Sequence, residues 1–195
     1  MKKLVIGISG ASGVIYGIRL LEVLQDVADV ETHLILSAAA AATIALETER
    51  AVGQVKALAD VVYAFNDIAA AVSSGSFQTM GMVIIPCSIK TLAGIANSFS
   101  DNLLLRAADV TLKDRRKLVL VTRETPLHLG HLRLMVQATE MGAIIAPPLP
   151  AFYHKPQTID DIINQTVNRV LDLLEITLPQ DLFTRWGGGK IAGEK

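Results

Sequence analysis

Five largely apolar runs of strand length punctuate this chain: KLVIGI (3–8), ETHLILS (31–37), MVIIPC (82–87), KLVLVT (117–122) and AIIAPP (143–148). A strand wetted on one face alternates polar and apolar residues, so runs with little alternation belong to strands buried on both faces. Between the runs, the apolar residues fall at helical spacing. The clearest case is Ile159, Ile162, Ile163, Thr166, Val167, Val170, Leu171 and Leu174, with Thr158 placed as N-cap and Asp160 and Asp161 in the first turn. Val14, Ile18, Leu21 and Leu24 share another helix face; residues 101–112 and 130–141 also read as helices, the latter stopped by Gly142. Strand alternating with helix predicts an α/β domain, a doubly wound, mostly parallel sheet between two helical layers: the three-layer Rossmann-like, or flavodoxin-like, arrangement. The domain spans 1–178, followed by a tail, 179–195, in which three consecutive glycines (RWGGGK) remove backbone restraint. Residues 48–81 stay open: ALADVVYAF suits a strand or a helix end, and SSGSFQTMG reads as a loop.

Composition narrows the function. A formal charge of -1, without blocks of like charge, argues against a nucleic-acid partner. One cysteine, Cys87, permits neither an internal disulfide nor a cysteine zinc cluster and suits a reducing compartment, so the cytoplasm is expected. The longest weakly apolar stretch, LILSAAAAATIAL, falls short of the roughly 20 residues that cross a bilayer, so no membrane span is expected. Hydrophobic residues make up 51% of the chain and charged ones only 19%, which suits apolar surface buried between subunits or simply reflects the many alanines.

In an open parallel sheet ligands bind beyond the carboxyl ends of the strands, and here each strand is followed by a polar cluster. In GISGASG, Gly10 and Gly13 allow close backbone approach, while Ser12 and the first amides of the next helix suit a phosphate; a tight turn with a serine cap explains the same residues. The second strand ends in Ser37 and not in the acidic residue that holds an NAD ribose, which favours a mononucleotide such as FMN. PCSIKT sets Ser88 and Thr91 at a helix start, with Lys90 adding charge. Cys87 reads as packing, with no histidine in its motif to activate it. Arg123 and Glu124 stand side by side after the fourth strand, serving a ligand or each other. His128 and His131 lack an acidic partner at metal-ligand spacing and read as ordinary loop and helix residues. PPLPAFYHKP stiffens a loop that carries Tyr153. Arg106 and Lys113 share a helix face that is ordinarily a solvated surface.

Taken together, GASG, Ser37, LET (46–48), PCSIKTLAGIA, RAADVTLK, VTRETPLH, PAFYHKP and RW occur in the order seen in flavin prenyltransferases of the UbiX family (UbiX/phenylacrylic acid decarboxylase-like flavoproteins), a resemblance that covers nearly the whole chain. It implies FMN binding by Gly10, Ala11, Ser12, Ser37, Ser88, Ile89, Lys90, Thr91 and Arg123. It implies transfer of a dimethylallyl group from dimethylallyl monophosphate to reduced FMN, giving the prenylated FMN used by UbiD-type decarboxylases, including in ubiquinone synthesis. The allylic phosphate would lie among Lys113, Arg123, Tyr153 and Arg169. Ser12, Glu47, Lys113 and Glu124 would serve catalysis, with Arg185 and Trp186 as a lid. The family suggests a homo-oligomer, a dodecamer with active sites shared between chains. The reaction is expected to need no metal, since Asp160 and Asp161, the one aspartate pair suited to Mg²⁺, are explained by capping. The chain departs from the family at Ala38, where lysine usually follows the serine. Two other readings share the flavin site: a flavin-dependent decarboxylase of cysteinyl compounds, and an FMN carrier without chemistry of its own.

Overall fold

Parallel pairing needs a crossover between successive strands, and the helical segments supply it. The computed structural model describes residues 1–187, which form β1 (Lys2–Ile8), β2 (Val30–Leu36), β3 (Val61–Tyr63), β4 (Gly81–Cys87), β5 (Lys117–Thr122) and β6 (Ile144–Ile145). The helices are α1 (Val14–Leu24), α2 (Ala38–Glu47), α3 (Val52–Lys56), α4 (Ile89–Ala96), α5 (Leu103–Lys113), α6 (Leu129–Glu140) and α7 (Ile159–Leu173). The strand order is β3-β2-β1-β4-β5-β6, with every pairing parallel. That is the Rossmann order; without the short β3 the remaining strands follow the flavodoxin order.

Alternate residues of each central strand enter opposite cores, so the apolar runs lack alternation. Leu4, Ile6 and Ile8 of β1 pack in the layer holding α1, α2, α3 and α7. Val5 packs with α4, α5 and α6. The fifth apolar run, AIIAPP, shrinks to two paired residues at the sheet edge, because Pro147 and Pro148 have no N–H for the ladder. The open stretch 48–81 resolves into α3, β3 and a single 3-10 turn at Ala71–Ser73. The alanine-rich stretch after β2 is α2, started by Ser37, whose hydroxyl accepts the Ala40 N–H at 3.0 Å.

Helix α7 begins as its sequence predicts. Thr158 Oγ1 accepts the Asp161 N–H at 3.1 Å, and the Asp161 carboxylate accepts the Thr158 N–H at 2.9 Å. After α7 the chain folds back on the domain: Leu178 and Leu182 pack against the core, and the Leu182 N–H donates to Asn168 Oδ1 at 2.8 Å. Residues 188–195, which hold most of the glycine-rich tail, lie outside the described residues. Among the described residues, no helix is long and apolar enough to cross a membrane.

Helix α1 lies so close to the sheet that a Cβ on Gly17 would collide with the Ile85 carbonyl oxygen and with Ile8. Gly17→Ala should therefore destabilise the fold by about 1–3 kcal/mol, the usual cost of overpacking a core. Equilibrium urea denaturation checks this, and an unchanged midpoint would contradict the tight contact.

Candidate functional site

The chain winds outward from β1 through β2 to β3, then crosses back to pair β4 with β1, so the loops after β1 and β4 diverge and leave a crevice. Ser9 joins the two loops. Its hydroxyl donates to the Pro86 carbonyl at 2.9 Å and accepts the Ser88 N–H at 2.8 Å, while its own N–H donates to Pro86 O at 3.2 Å. The crevice holds a cavity of about 300 Å³ lined on its polar side by Ser9, Gly10, Ser37, Ser88, Lys90, Thr91 and Asn102. Ala38, Ala39, Phe65, Leu104 and Leu105 supply an apolar wall.

Three helices present their N-termini here. Ser37 caps α2, Ser88 caps α4 by accepting the Thr91 N–H at 3.3 Å, and Asn102 caps α5 by accepting the Leu105 N–H at 3.0 Å. Each cap satisfies one amide and leaves other first-turn N–H groups for an anion, with the helix dipoles adding in the same sense. Among the described residues Lys90 is the only cation that lines the cavity, since Ala38 supplies none. Gly10 admits α2 to this arrangement, because a Cβ there would overlap that of Ala39. Helix N-termini, hydroxyls and one ammonium beside Phe65 and two leucines fit a ligand with a phosphate and a flat apolar body, as FMN has.

The first helix behaves differently from expectation. The Glu47 carboxylate, at the end of α2, accepts the N–H groups of Gly13 at 2.8 Å and Val14 at 3.2 Å. Two of the amides read as suited to a phosphate, those of the N-cap Gly13 and of Val14, thus already have an acidic partner. Glu47 stands next to Ser12, which is exposed. Tyr16, one turn on, packs its ring against Gly13; burial pushes its phenol pKa up, and the nearby Arg123 guanidinium opposes that shift.

Arg123 and Glu124 lie just past β5, and both are exposed. The Arg123 N–H ties this loop to β4 through Cys87 O at 3.1 Å, and Glu124 Oε1 accepts the Thr125 N–H at 3.0 Å. Among the described residues they form no ion pair with each other. Cys87 is buried and its thiol pKa is pushed up by burial, which fits packing. His128 caps α6 by accepting the Gly130 N–H at 2.9 Å, its ring 3.6 Å from that of His131. Among the described residues no group of three or more histidine, cysteine, aspartate or glutamate side chains is placed to hold a metal.

The remaining candidates fall into two further places. Tyr153 meets Trp186 edge-on at 5.6 Å, and Arg185 and Arg169 share one carboxylate, Asp172. Arg185 grips Asp172 with two nitrogens, at 2.9 and 2.8 Å, and Arg169 reaches it at 2.8 Å, so these bonds hold the Asp172 carboxyl below the usual range. Lys113 belongs to neither group. It ends α5, and since helices run back against the parallel strands, it sits at the amino end of the sheet, opposite the cavity. The expected phosphate set is therefore not assembled within one chain. The fold adds Ser9, Tyr16, Phe65, Asn102, Leu104 and Leu105 to the residues expected at the site. Of these, Ser9 was accessible as a small polar residue at the end of a strand, and Asn102 as one standing directly before a helix start.

Fold and cavity define an α/β protein built to hold a phosphate-bearing, flat ligand at the switch point of its sheet. The Flavoprotein family matches residues 1–171. Flavin prenyltransferase UbiX of Escherichia coli (strain K12) is 68% identical over 188 residues, 96% of this chain and 100% of that protein. The corresponding protein of Thauera aromatica is 60% identical over 96% of this chain and 95% of its own length. The crystal structure of AnUbiX (PadA1) in complex with FMN and dimethylallyl pyrophosphate superposes with a TM-score of 0.92 at 50% identity, covering 97% of this chain and 99% of that one. A dodecameric FMN-dependent UbiX-like decarboxylase from Escherichia coli O157:H7 also gives 0.92, at 49% identity over 95% of this chain and all of that one. The chain belongs to the UbiX family of flavin prenyltransferases.

Removing the Glu47 cap should cost stability as well as any chemistry. Glu47→Ala leaves the Gly13 and Val14 amides without their carboxylate and should lose about 0.5–1 kcal/mol; Glu47→Gln, whose amide oxygen still accepts, should lose less. Urea midpoints of both variants test the ranking, and equal midpoints would remove the capping role.

Proposed function

We propose that this chain transfers a dimethylallyl group from dimethylallyl monophosphate to reduced FMN, and that the prenylated FMN serves a UbiD-type decarboxylase, including in ubiquinone synthesis. The observation that carries the reading is the 68% identity to a flavin prenyltransferase over its full length, joined to a cavity with three helix N-termini at the switch point. Reduced FMN supplies an electron-rich ring as acceptor. Ser37, Ser88, Lys90, Thr91 and the first amides of α2 and α4 would hold its phosphate, with Gly10, Ala11, Ser12 and Ile89 in the same loops and Arg123 at the next strand end.

Breaking an allylic carbon–oxygen bond gathers negative charge on the departing phosphate, which arginine, lysine and a phenol stabilise by charge-assisted hydrogen bonds. Arg123, Tyr153, Arg169 and Lys113 are the groups for that task. Lys113 cannot reach its own chain's cavity, so in this reading it enters the site of a neighbouring copy. Sites shared within a homo-oligomer, a dodecamer by analogy with the Escherichia coli O157:H7 structure, follow. Leu129, Leu132 and Val136 form an exposed apolar stripe along α6 that supports such an assembly. Glu47 or Glu124, with Ser12, would move a proton during ring closure, and Arg185 and Trp186 would help exclude water. No step needs a metal. A cytoplasmic location fits the single, buried Cys87.

The alternatives have less support. The FMN-dependent cysteine decarboxylase SpaF is 18% identical with a TM-score of 0.61, a likeness of fold alone. A flavin carrier has no use for the basic groups.

Anaerobic incubation with reduced FMN and dimethylallyl monophosphate, with the diphosphate in a parallel arm, should yield a flavin heavier by one prenyl unit. An unchanged flavin mass in both arms would refute the activity. Mixed oligomers of Arg169→Ala and Lys113→Ala subunits should regain part of the activity that each lacks, because some sites receive both intact residues. If verified mixed oligomers show no recovery, these two residues do not reach a common site from different chains.

A further inference from the structure

Lys113 is held by a network that the proposed chemistry does not by itself require. Its Nζ lies 2.7 Å from Asp114 Oδ1, and Asp114 Oδ2 lies 3.0 Å from the Arg116 guanidinium. Arg116, only 13% exposed at its side chain, donates to the carbonyls of Gly75 at 2.7 Å and Phe77 at 2.9 Å and to Thr79 Oγ1 at 3.2 Å. The loop read from sequence simply as SSGSFQTMG is thus fastened to the end of α5. It is fastened closely: a Cβ at residue 75 would stand 2.5 Å from Asp114 Oδ2 and 2.7 Å from Lys113 Nζ.

We propose that Asp114, Arg116 and Gly75 are positioning residues that set the Lys113 ammonium in place for the phosphate of the prenyl donor in a neighbouring copy's site, an inference that rests on the role given to Lys113 above. A free lysine samples many rotamers and loses that freedom on meeting a phosphate. Here Asp114 accepts a hydrogen bond from one of the three ammonium N–H groups, and Gly75 leaves room for the pair against the loop. The half-exposed Lys113 side chain keeps its other donors for a ligand. Arg116 matters for charge as well as for geometry. Asp114 alone would cancel Lys113 and repel a phosphate, but with Arg116 bound to its other oxygen the triad retains one net positive charge. Hydrogen bonding from Lys113 holds the Asp114 carboxyl below its usual range.

The test compares Asp114→Asn, Gly75→Ala, Asp114→Glu and Lys113→Ala in the full-length, assembled protein, reading kcat/KM for dimethylallyl monophosphate and Kd for FMN. Asp114→Asn and Gly75→Ala should each lower donor kcat/KM roughly five- to tenfold, the cost of ordering a freed side chain, with FMN affinity unchanged. Asp114→Glu should restore most of the loss, and Asp114→Asn added to Lys113→Ala should cost nothing further. A full additional loss in that double variant, or no effect of Asp114→Asn and Gly75→Ala where Lys113→Ala itself is impaired, overturns the positioning role. An unimpaired Lys113→Ala overturns the role of Lys113 first, and this inference with it. Gly75→Ala keeps every charged group, so the test stands if Asp114→Asn fails to assemble.

Discussion

The site depends on the contact between the ends of β1 and β4. These strands are adjacent only because the chain reverses its winding after β3, and their ladder ends at the Gly7–Ile84 pair, short of the loops that follow. Pro86 has no N–H to give, and the β4–β5 register shifts between Ile84 and Cys87. Ser9 makes good the deficit: its amide and hydroxyl both go to the Pro86 carbonyl, and its oxygen receives the Ser88 amide. With Ser88 so placed, α4 starts facing α2, and the two first turns line one cavity. A residue at position 9 without a hydroxyl would leave the Ser88 amide without its acceptor and the buried Pro86 carbonyl with only the backbone N–H of residue 9, at the wall of the ligand pocket.

A parallel sheet sends every crossover helix away from the carboxyl end, so helix N-termini collect there whatever the ligand. What distinguishes this chain is how it allots them. Helix α1 is closed by Glu47, while α2, α4 and α5 spend one amide each on Ser37, Ser88 and Asn102 and keep the rest. An anion brought to the start of α1 would meet the like charge of Glu47, whereas one brought to α2, α4 or α5 would meet only neutral caps.

Much of this was legible before the fold was known. Strands buried on both faces betray themselves by lacking alternation, and α7 by its cap and its period. The loops carrying Gly10, Ser37, Ser88 and Arg123 were legible because the winding rule places ligands at strand ends. The stretch 48–81 was not, because β3 is a three-residue edge strand with Val62 partly exposed and little apolar signal. Nor was α2, whose alanines lack a contrasting polar face. Phe65, Leu104 and Leu105 join the cavity through tertiary packing, and their local sequence is that of any core residue. The role of Glu47 as a cap is a contact across 33 and 34 positions, and no local pattern announces it.

Lys113 shows how a motif can mislead about place. RAADVTLK reads as one amphipathic helix, and Arg106 and Lys113 do share its face, yet seven residues along a helix is about 10 Å of rise. A helix that starts at the cavity end therefore carries its last residue toward the other end of the sheet. The same geometry dictates that a basic residue at the C-terminus of a crossover helix meets a ligand only from outside, by docking its own domain's amino end against another's carboxyl end. Such a residue has no ligand pocket of its own to hold it in position. Any order it has must come from neighbours in its own chain, and Asp114, Arg116 and the loop through Gly75 are what this chain supplies.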